Sequence, residues 1–273
     1  MPAPIPAPMF DVDGRVVIIT GGAGLIGRAY ARALSEAGAH PVIADLDIES
    51  AQAVAASVDG AEAFAIQVDV TDPSSTMAMA ETCQSRFGRI DALVNNAAID
   101  PKMDKANAGQ HLVTFENYPV DAFRLSLDVG VTGAFLCTQA GVPAMRDAGR
   151  GVIINVASTY GMAGPDQRLY INADGTRSIK PVAYSVSKSA MFGFTKYLAA
   201  YFADSGLRAN TLTLGGVFND HDDGFTARYE ARTPLGRMAR QDEYVGTLLY
   251  LVSDASAYMT GANVVIDGGW TAW

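Results

Sequence analysis

Cysteine is almost missing from this chain of 273 residues: only Cys83 and Cys137 occur, far apart. They offer neither a disulfide framework nor a thiol metal pair, and two thiols placed in helical segments fit a reducing cytoplasm. Histidine is as scarce, and His40, His111 and His221 lie in distant segments, so no metal site is expected. Basic residues are in deficit, with 20 Lys and Arg against 29 Asp and Glu and a net charge of −9. That balance argues against nucleic acid or an anionic membrane surface as partner, since both call for a basic patch. No apolar run approaches the roughly 18 residues of a membrane span. The start has no basic segment followed by an apolar core, as a secretory signal requires. Residues 1–9, where proline alternates with small residues, are read as a flexible extension ahead of one domain over 10–273. No internal repeat and no linker divides that domain.

What is present is alternation. Residues 15–20 (RVVIIT) form a short, β-branched, apolar run, the mark of a strand buried on both faces. A Gly-rich turn and a helical pattern ending at Gly38 follow, and 41–44 reads as a second strand. This is a βαβ unit, which implies parallel strands. The order continues with helix 49–57, strand 63–68, helix 73–87, strand 91–94, a mostly helical 120–148 and strand 152–156. A helix running on from Tyr184 to about 203, strand 207–212, helix 242–252 and strand 264–266 complete it. The expected fold is a single-domain α/β doubly wound parallel sheet of the Rossmann type. Two long irregular segments, 99–119 and 161–180, leave the carboxyl ends of strands, where such sheets bind ligands.

Chemistry gathers in the same places. In Thr20-Gly21-Gly22-Ala23-Gly24-Leu25-Ile26-Gly27 the turn lies between a strand and a helix, where backbone N–H groups and the helix dipole can hold a pyrophosphate. Asp45, ending the second strand, is placed to accept from a ribose 2′-hydroxyl, or is simply a solvated acid flanking a helix. It would repel a 2′-phosphate, and Leu46 beside it brings no cation, so the expected cofactor is NAD. Tyr184 and Lys188 are four apart and share one helix face. A phenol titrates near 10, and a cation beside it favours phenolate and makes it a workable general base or acid. Ser185 to Lys188 also fits the Ser-x-x-Lys of serine acyl-transfer enzymes, but their companion motifs are not apparent.

Four motifs follow in order: the Gly-rich turn after the first strand, Asn95-Asn96-Ala97-Ala98 after the fourth, Ser158 after the fifth, and Tyr184-x-x-x-Lys188 in the helix beyond it. In that order the chain, from about residue 10 to its end, resembles a short-chain dehydrogenase/reductase, with members acting on sugars or sugar acids the nearest in kind. The resemblance implies NAD-dependent hydride transfer at a secondary alcohol or ketone. Tyr184 would exchange the proton, Lys188 would depress its pKa and bind the nicotinamide ribose, and Ser158 would hold the carbonyl oxygen. Gly21, Leu25 and Ile26 would meet the pyrophosphate, Asp69 and Val70 the adenine, and Asn96 and Ala97 the adenosine-side ribose. Gly215 and Val217 would reach the nicotinamide amide.

There are departures. Leu25 replaces the family's usual glycine, Leu214-Gly215 its Pro-Gly, and Gly130 the asparagine that helps hold a relay water behind the lysine. Gly130 is what recommends a rival reading, a nucleotide-binding regulatory or structural protein with weakened catalysis. The stretch between Ser158 and Tyr184 is longer than the family usually has and is polar (Asp166, Gln167, Arg168, Tyr170, Asn172, Arg177, Lys180). A hydroxyl-rich or anionic small-molecule substrate is therefore expected, a sugar, polyol or sugar acid, with Arg168 as clamp. A reductase of acyl, steroid or aromatic ketones is the alternative. Asn219-Asp220-His221-Asp222-Asp223 is read as a solvated substrate-side loop rather than a metal site. A homotetramer, common in the family, is expected. Trp270 and Trp273 suggest burial, against another copy or in the chain's own core.

Overall fold

Val16–Thr20, five residues all buried, form β1, an interior strand of a seven-stranded parallel sheet. The structure, a computed structural model, describes residues 9–99, 114–171, 175 and 177–273. Asn172, most of the first long loop and all of the N-terminal extension except Met9 lie outside the described residues.

The other strands are β2 (His40–Asp45), β3 (Phe64–Gln67), β4 (Ala92–Asn95), β5 (Gly151–Ser158), β6 (Leu207–Leu214) and β7 (Asn263–Ile266). Their spatial order is β3-β2-β1-β4-β5-β6-β7. Side chains alternate across a strand, so β1 feeds two cores. Val17 and Ile19 pack with Tyr30 and Leu34 of α1 (Leu25–Glu36) and Leu248 and Leu251 of α9 (Val245–Val252). Val16 and Ile18 pack with Met79 and Cys83 of α3 (Pro73–Phe87), Cys137 and Met145 of α5 (Gly133–Asp147) and Leu198 of α7 (Val182–Tyr201). α2 is Ile48–Ser57. Burial pushes both thiols up to about 12, so they stay protonated.

The chain order reverses between β1 and β4, and the crevice at their carboxyl ends is where a doubly wound sheet takes its ligand. β5 and β6 extend two residues beyond their expected ends, to Ser158 and Leu214, and carry both into that crevice.

Three details differ from the expected elements. The helix over 120–148 is α4 (Val120–Leu127), a π-helical turn at Asp128–Thr132, then α5. Gly130 sits inside that turn, where a Cβ would come 3.3 Å from the Cβ of Ser187 on α7, so the bulge brings the two helices close. The combined run is long and apolar enough to cross a membrane by length and composition, but half of its most apolar window is buried in the core. The segment 242–252 begins with a 3-10 turn, Gln241–Tyr244, before α9. The acidic run at 219–223 ends in an unexpected helix, α8 (Asp223–Glu230), because Asp222 caps it by accepting from the Phe225 N–H. Phe225 and Tyr229, four apart, form its buried face.

Candidate active site

One cleft of about 970 Å³ runs across the crevice. At one end, the turn from β1 to α1 is held by close backbone packing. Gly21 has φ +61°, and a Cβ there would lie 2.9 Å from Ala97 Cα; at Gly22 it would meet the Ile19 carbonyl oxygen at 2.9 Å. At Gly27 it would stand 2.5 Å from the carbonyl oxygen of Gly21. Asn96 ties the end of β4 to this turn, its Nδ2 donating to the carbonyls of Thr20 (3.0 Å) and Gly21 (3.1 Å). Thr20 Oγ1 accepts from the N–H groups of Asn96 and Ala97, both at 3.1 Å.

Asp45 ends β2 at the cleft. One carboxylate oxygen accepts from the Ala23 N–H at 2.9 Å, the other from the Asp47 N–H at 3.2 Å. The strand end and the Gly-rich turn are thereby locked together with a negative charge between them. Asp69 accepts from Thr71 through both its N–H and its hydroxyl, forming the turn into α3, while Val70 is buried. Both line the cleft with Gly21, Leu25, Ile26, Asn96 and Ala97.

The other end is built by β5, β6, α7 and α8. Ser158 terminates β5, and its hydroxyl accepts from the Tyr160 N–H at 3.2 Å, which aims the serine at the first turn of α6 (Thr159–Met162). Tyr184 and Lys188 lie one turn apart on α7. Lys188 is buried, and its Nζ donates to the carbonyl of Val156 at 2.9 Å, anchoring the ammonium on β5. Ser158, Tyr184, Lys188, Gly215 and Val217 all line the same cleft. Gly215 gives its carbonyl to the Tyr244 hydroxyl at 3.1 Å, and the Gly216 N–H donates to the Tyr229 hydroxyl at 2.7 Å.

Arg168 is elsewhere. It is exposed and folds onto Asp166, Nε to Oδ1 and Nη2 to Oδ2 both at 2.8 Å, and Arg232 closes on the same carboxylate. The Arg168 fork holds the Asp166 carboxyl down at about 2. The clamp expected from sequence is thus spent on the loop's own outer face, because an arginine two residues from an aspartate at the solvent edge finds that partner first.

What the loop turns inward is aromatic. Leu169 and Tyr170 are buried against Tyr160, Phe225, Tyr229, Met238 and Trp270, and Tyr184 packs on this cluster. The Tyr170 hydroxyl donates to that of Tyr160 at 3.1 Å, and Tyr229 stacks on Trp270 at 4.2 Å. Burial pushes the phenols of Tyr160 and Tyr229 up, so they serve as neutral hydrogen-bonding walls. Trp270 is therefore core, whereas Trp273 is exposed, its Nε1 donating to the Arg232 carbonyl at 3.0 Å. Asn219, Asp220, His221 and Asp222 line the cleft, with His221 stacked on Phe225 at 4.9 Å, and no metal-binding cluster occurs among the described residues. Lys180 was one polar loop residue among many in the sequence; here its Nζ stands 3.8 Å from the Tyr184 ring centroid. The sequence signals for the aromatic wall were the Phe225–Tyr229 spacing and the Asp222 cap.

The loop is docked on α8 by Arg228, which donates to the carbonyls of Leu169 (3.0 Å) and Ile171 (2.8 Å). Arg228→Ala leaves those carbonyls without their charged donor and loosens Tyr170. The expected result is a KM raised about tenfold with a smaller change in kcat, read from steady-state rates. An unchanged KM would mean that the loop holds its place without Arg228.

A family model described as enoyl-(acyl carrier protein) reductase matches residues 22–271. The chain is 36% identical over 259 residues to a 3-alpha-(or 20-beta)-hydroxysteroid dehydrogenase of Mycobacterium bovis, covering 95% of this chain and 90% of that protein. It is 34% identical over 269 residues to D-threitol dehydrogenase of Mycolicibacterium smegmatis, covering 96% and 95%. Among solved structures, a gluconate 5-dehydrogenase from Burkholderia cenocepacia, in complex with NADP and tartrate, superimposes with a TM-score of 0.84 at 30% identity, covering 97% and 98%. An NAD+-bound xylitol dehydrogenase does so at 0.82 and 28% identity, covering 94% and 99%.

Proposed function

The chain belongs to the short-chain dehydrogenase/reductase family, whose members here are dehydrogenases of CH–OH groups, and from that premise we propose its cofactor, site and substrate class. The cofactor is NAD, and the reaction is oxidation of a secondary alcohol or its reverse. The observation that carries this is the meeting of Ser158, Tyr184 and Lys188 at one end of a cleft whose other end is the Gly-rich turn and Asp45.

The residues fit a dinucleotide. Glycines whose Cβ positions are filled by neighbouring backbone keep the turn tight at the N-terminus of α1, whose dipole favours a pyrophosphate, and the Asp45 carboxylate suits a 2′-hydroxyl. When bound, the nicotinamide accepts or returns the hydride. Ser158 holds the substrate oxygen by a hydrogen bond that strengthens as negative charge develops on it. Tyr184, as phenolate, takes the hydroxyl proton, and in reduction gives it back. Lys188, anchored on Val156, supplies the adjacent positive charge.

The neighbours bind both nicotinamide cofactors, NADP in one and NAD+ in the other. Asp45 is the ground for choosing NAD. Asp45→Ser is expected to narrow the preference for NAD over NADP, as a ratio of kcat/KM, by about tenfold or more. A wild type that prefers NADP would end the argument from Asp45.

For substrate, the aromatic wall supports a cyclic secondary alcohol whose C–H faces lie on Tyr160, Tyr170, Phe225 and Tyr229. Sugars and sugar acids in ring form belong to that class, and so do alicyclic alcohols. Asp166, Gln167 and Arg168 do not bear on the choice, because their side chains hold the loop together. Assay of sugars, sugar acids, threitol and alicyclic alcohols with NAD, followed by nicotinamide absorbance, tests the reading. Absence of turnover on any secondary alcohol would favour the nucleotide-binding protein that Gly130 recommends. Exposed apolar side chains on α4, α5 and α7 (Leu125, Phe135, Val186, Tyr197) support self-association, the tetramer included.

A further inference from the structure

We infer that Lys180 is the specificity-determining cation of the substrate pocket, and that the cyclic alcohol it selects carries a carboxylate. The inference rests on the reading of the cleft as an alcohol dehydrogenase site and adds the charge of its substrate.

Two lysines, and no arginine, line the cleft among the described residues. Lys188 is buried on the Val156 carbonyl below the reacting centre. Lys180 comes off the long loop, and its ammonium lies over the ring of Tyr184 in a cleft that Tyr160 and Tyr170 also line. A cation–π contact of this kind holds an ammonium by its charge. An ammonium has three N–H donors, so it can take a carboxylate oxygen while resting on the ring.

Its root is fixed. The Gln167 side-chain amide accepts from the Lys180 N–H at 2.9 Å and donates to the Lys180 carbonyl at 3.3 Å, and Pro181 follows at once to cap α7. A flexible side chain whose backbone is clamped on both sides loses less freedom on binding, which raises its worth as a recognition group. Gln167 is thus a positioning residue, and the added length of the loop has a use: it delivers a cation to the substrate side of Tyr184.

Charge across the cleft is unequal. Asp220 and Asp222 also line the cleft, with Asp222 committed to the cap of α8. A substrate carboxylate is repelled by these carboxylates and drawn to Lys180. One end of a ring is thereby told from the other, and its hydroxyl is turned toward Tyr184 and Ser158.

The test compares 4-hydroxycyclohexanecarboxylate with 4-hydroxycyclohexanecarboxamide, nearly equal in shape and different in charge, under saturating NAD. Wild type is expected to favour the acid by about tenfold or more in kcat/KM, chiefly through KM. Lys180→Gln is expected to erase that preference while leaving the carboxamide within about twofold, and Lys180→Arg to keep most of it. Equal use of acid and amide by wild type overturns the inference and leaves the alcohol dehydrogenase reading standing. So does a Lys180→Gln variant that loses both substrates alike, which would mean that Lys180 acts through Tyr184. Turnover of neither probe also overturns it, and if no other secondary alcohol is used either, the parent reading falls as well. NAD binding by each variant, followed by fluorescence, shows that the fold is intact.

Discussion

Tyr184→Phe is expected to lower kcat by about a thousandfold, the scale of a lost general acid–base group, while NAD still binds. The hydroxyl alone is removed. The ring keeps its place against the aromatic cluster of Tyr160, Tyr170, Phe225 and Tyr229, so the pocket retains its shape. Tyr160 and Tyr229 are poor substitutes: burial favours their protonated forms, and the Tyr229 oxygen is occupied by the Gly216 N–H. Stopped turnover with unchanged NAD affinity, by rates and fluorescence titration, is the outcome that fits. A variant retaining a tenth of wild-type kcat would move the proton transfer to another group, and would remove Tyr184 from the centre of the mechanism.

The second large effect belongs to the other end of the cleft. Gly27→Ala is expected to weaken NAD binding by about tenfold or more and to lower Tm. An added Cβ would stand 2.5 Å from the Gly21 carbonyl oxygen, 2.6 Å from Gly22 Cα and 2.7 Å from the Gly22 carbonyl oxygen. Every one of these atoms is backbone, so no side chain can swing aside. Either α1 lifts from β1 or the turn distorts, at a cost of about 1–3 kcal/mol for overpacking, and the N–H groups lose their aim. Gly141→Ala is the control. It also adds a methyl group inside a helix, but nothing lies within 4 Å of the new atom, so NAD affinity is expected to stay as it was. Equal effects from the two substitutions would show that the Gly-rich turn tolerates crowding and that its geometry is not what holds the cofactor.

Much of this could be read from the residues in order. The β-branched runs at 15–20 and 152–156 and the helical patterns between them specified parallel strands and their sequence, since side-chain periodicity is a local property of the backbone. The placement of Gly21, Asp45, Asn96 and Ser158 at strand ends followed, because parallel strands that alternate with helices point their carboxyl ends the same way. The bulge at Gly130 was less legible. It appeared as a missing asparagine and is also a π-helical turn through which α4, α5 and α7 come together.

The long loop was least legible of all. Counted by composition, 161–180 is polar, and that count pointed to Arg168. Its orientation is decided by contacts made far along the chain: Arg228 with the carbonyls of Leu169 and Ile171, Arg232 with Asp166, and Tyr170 with Phe225. These turn Arg168 outward, bury Tyr170 and seat Lys180 on Tyr184. By itself, then, the sequence determined the sheet, the Gly-rich turn at one end of the cleft and the Tyr184–Lys188 spacing on α7, all products of local periodicity and strand direction. Only the tertiary structure decided which side chains the long loop turns into the cleft, because an irregular segment has no period to reveal its inner face, and that face is set by whatever the rest of the chain packs against it.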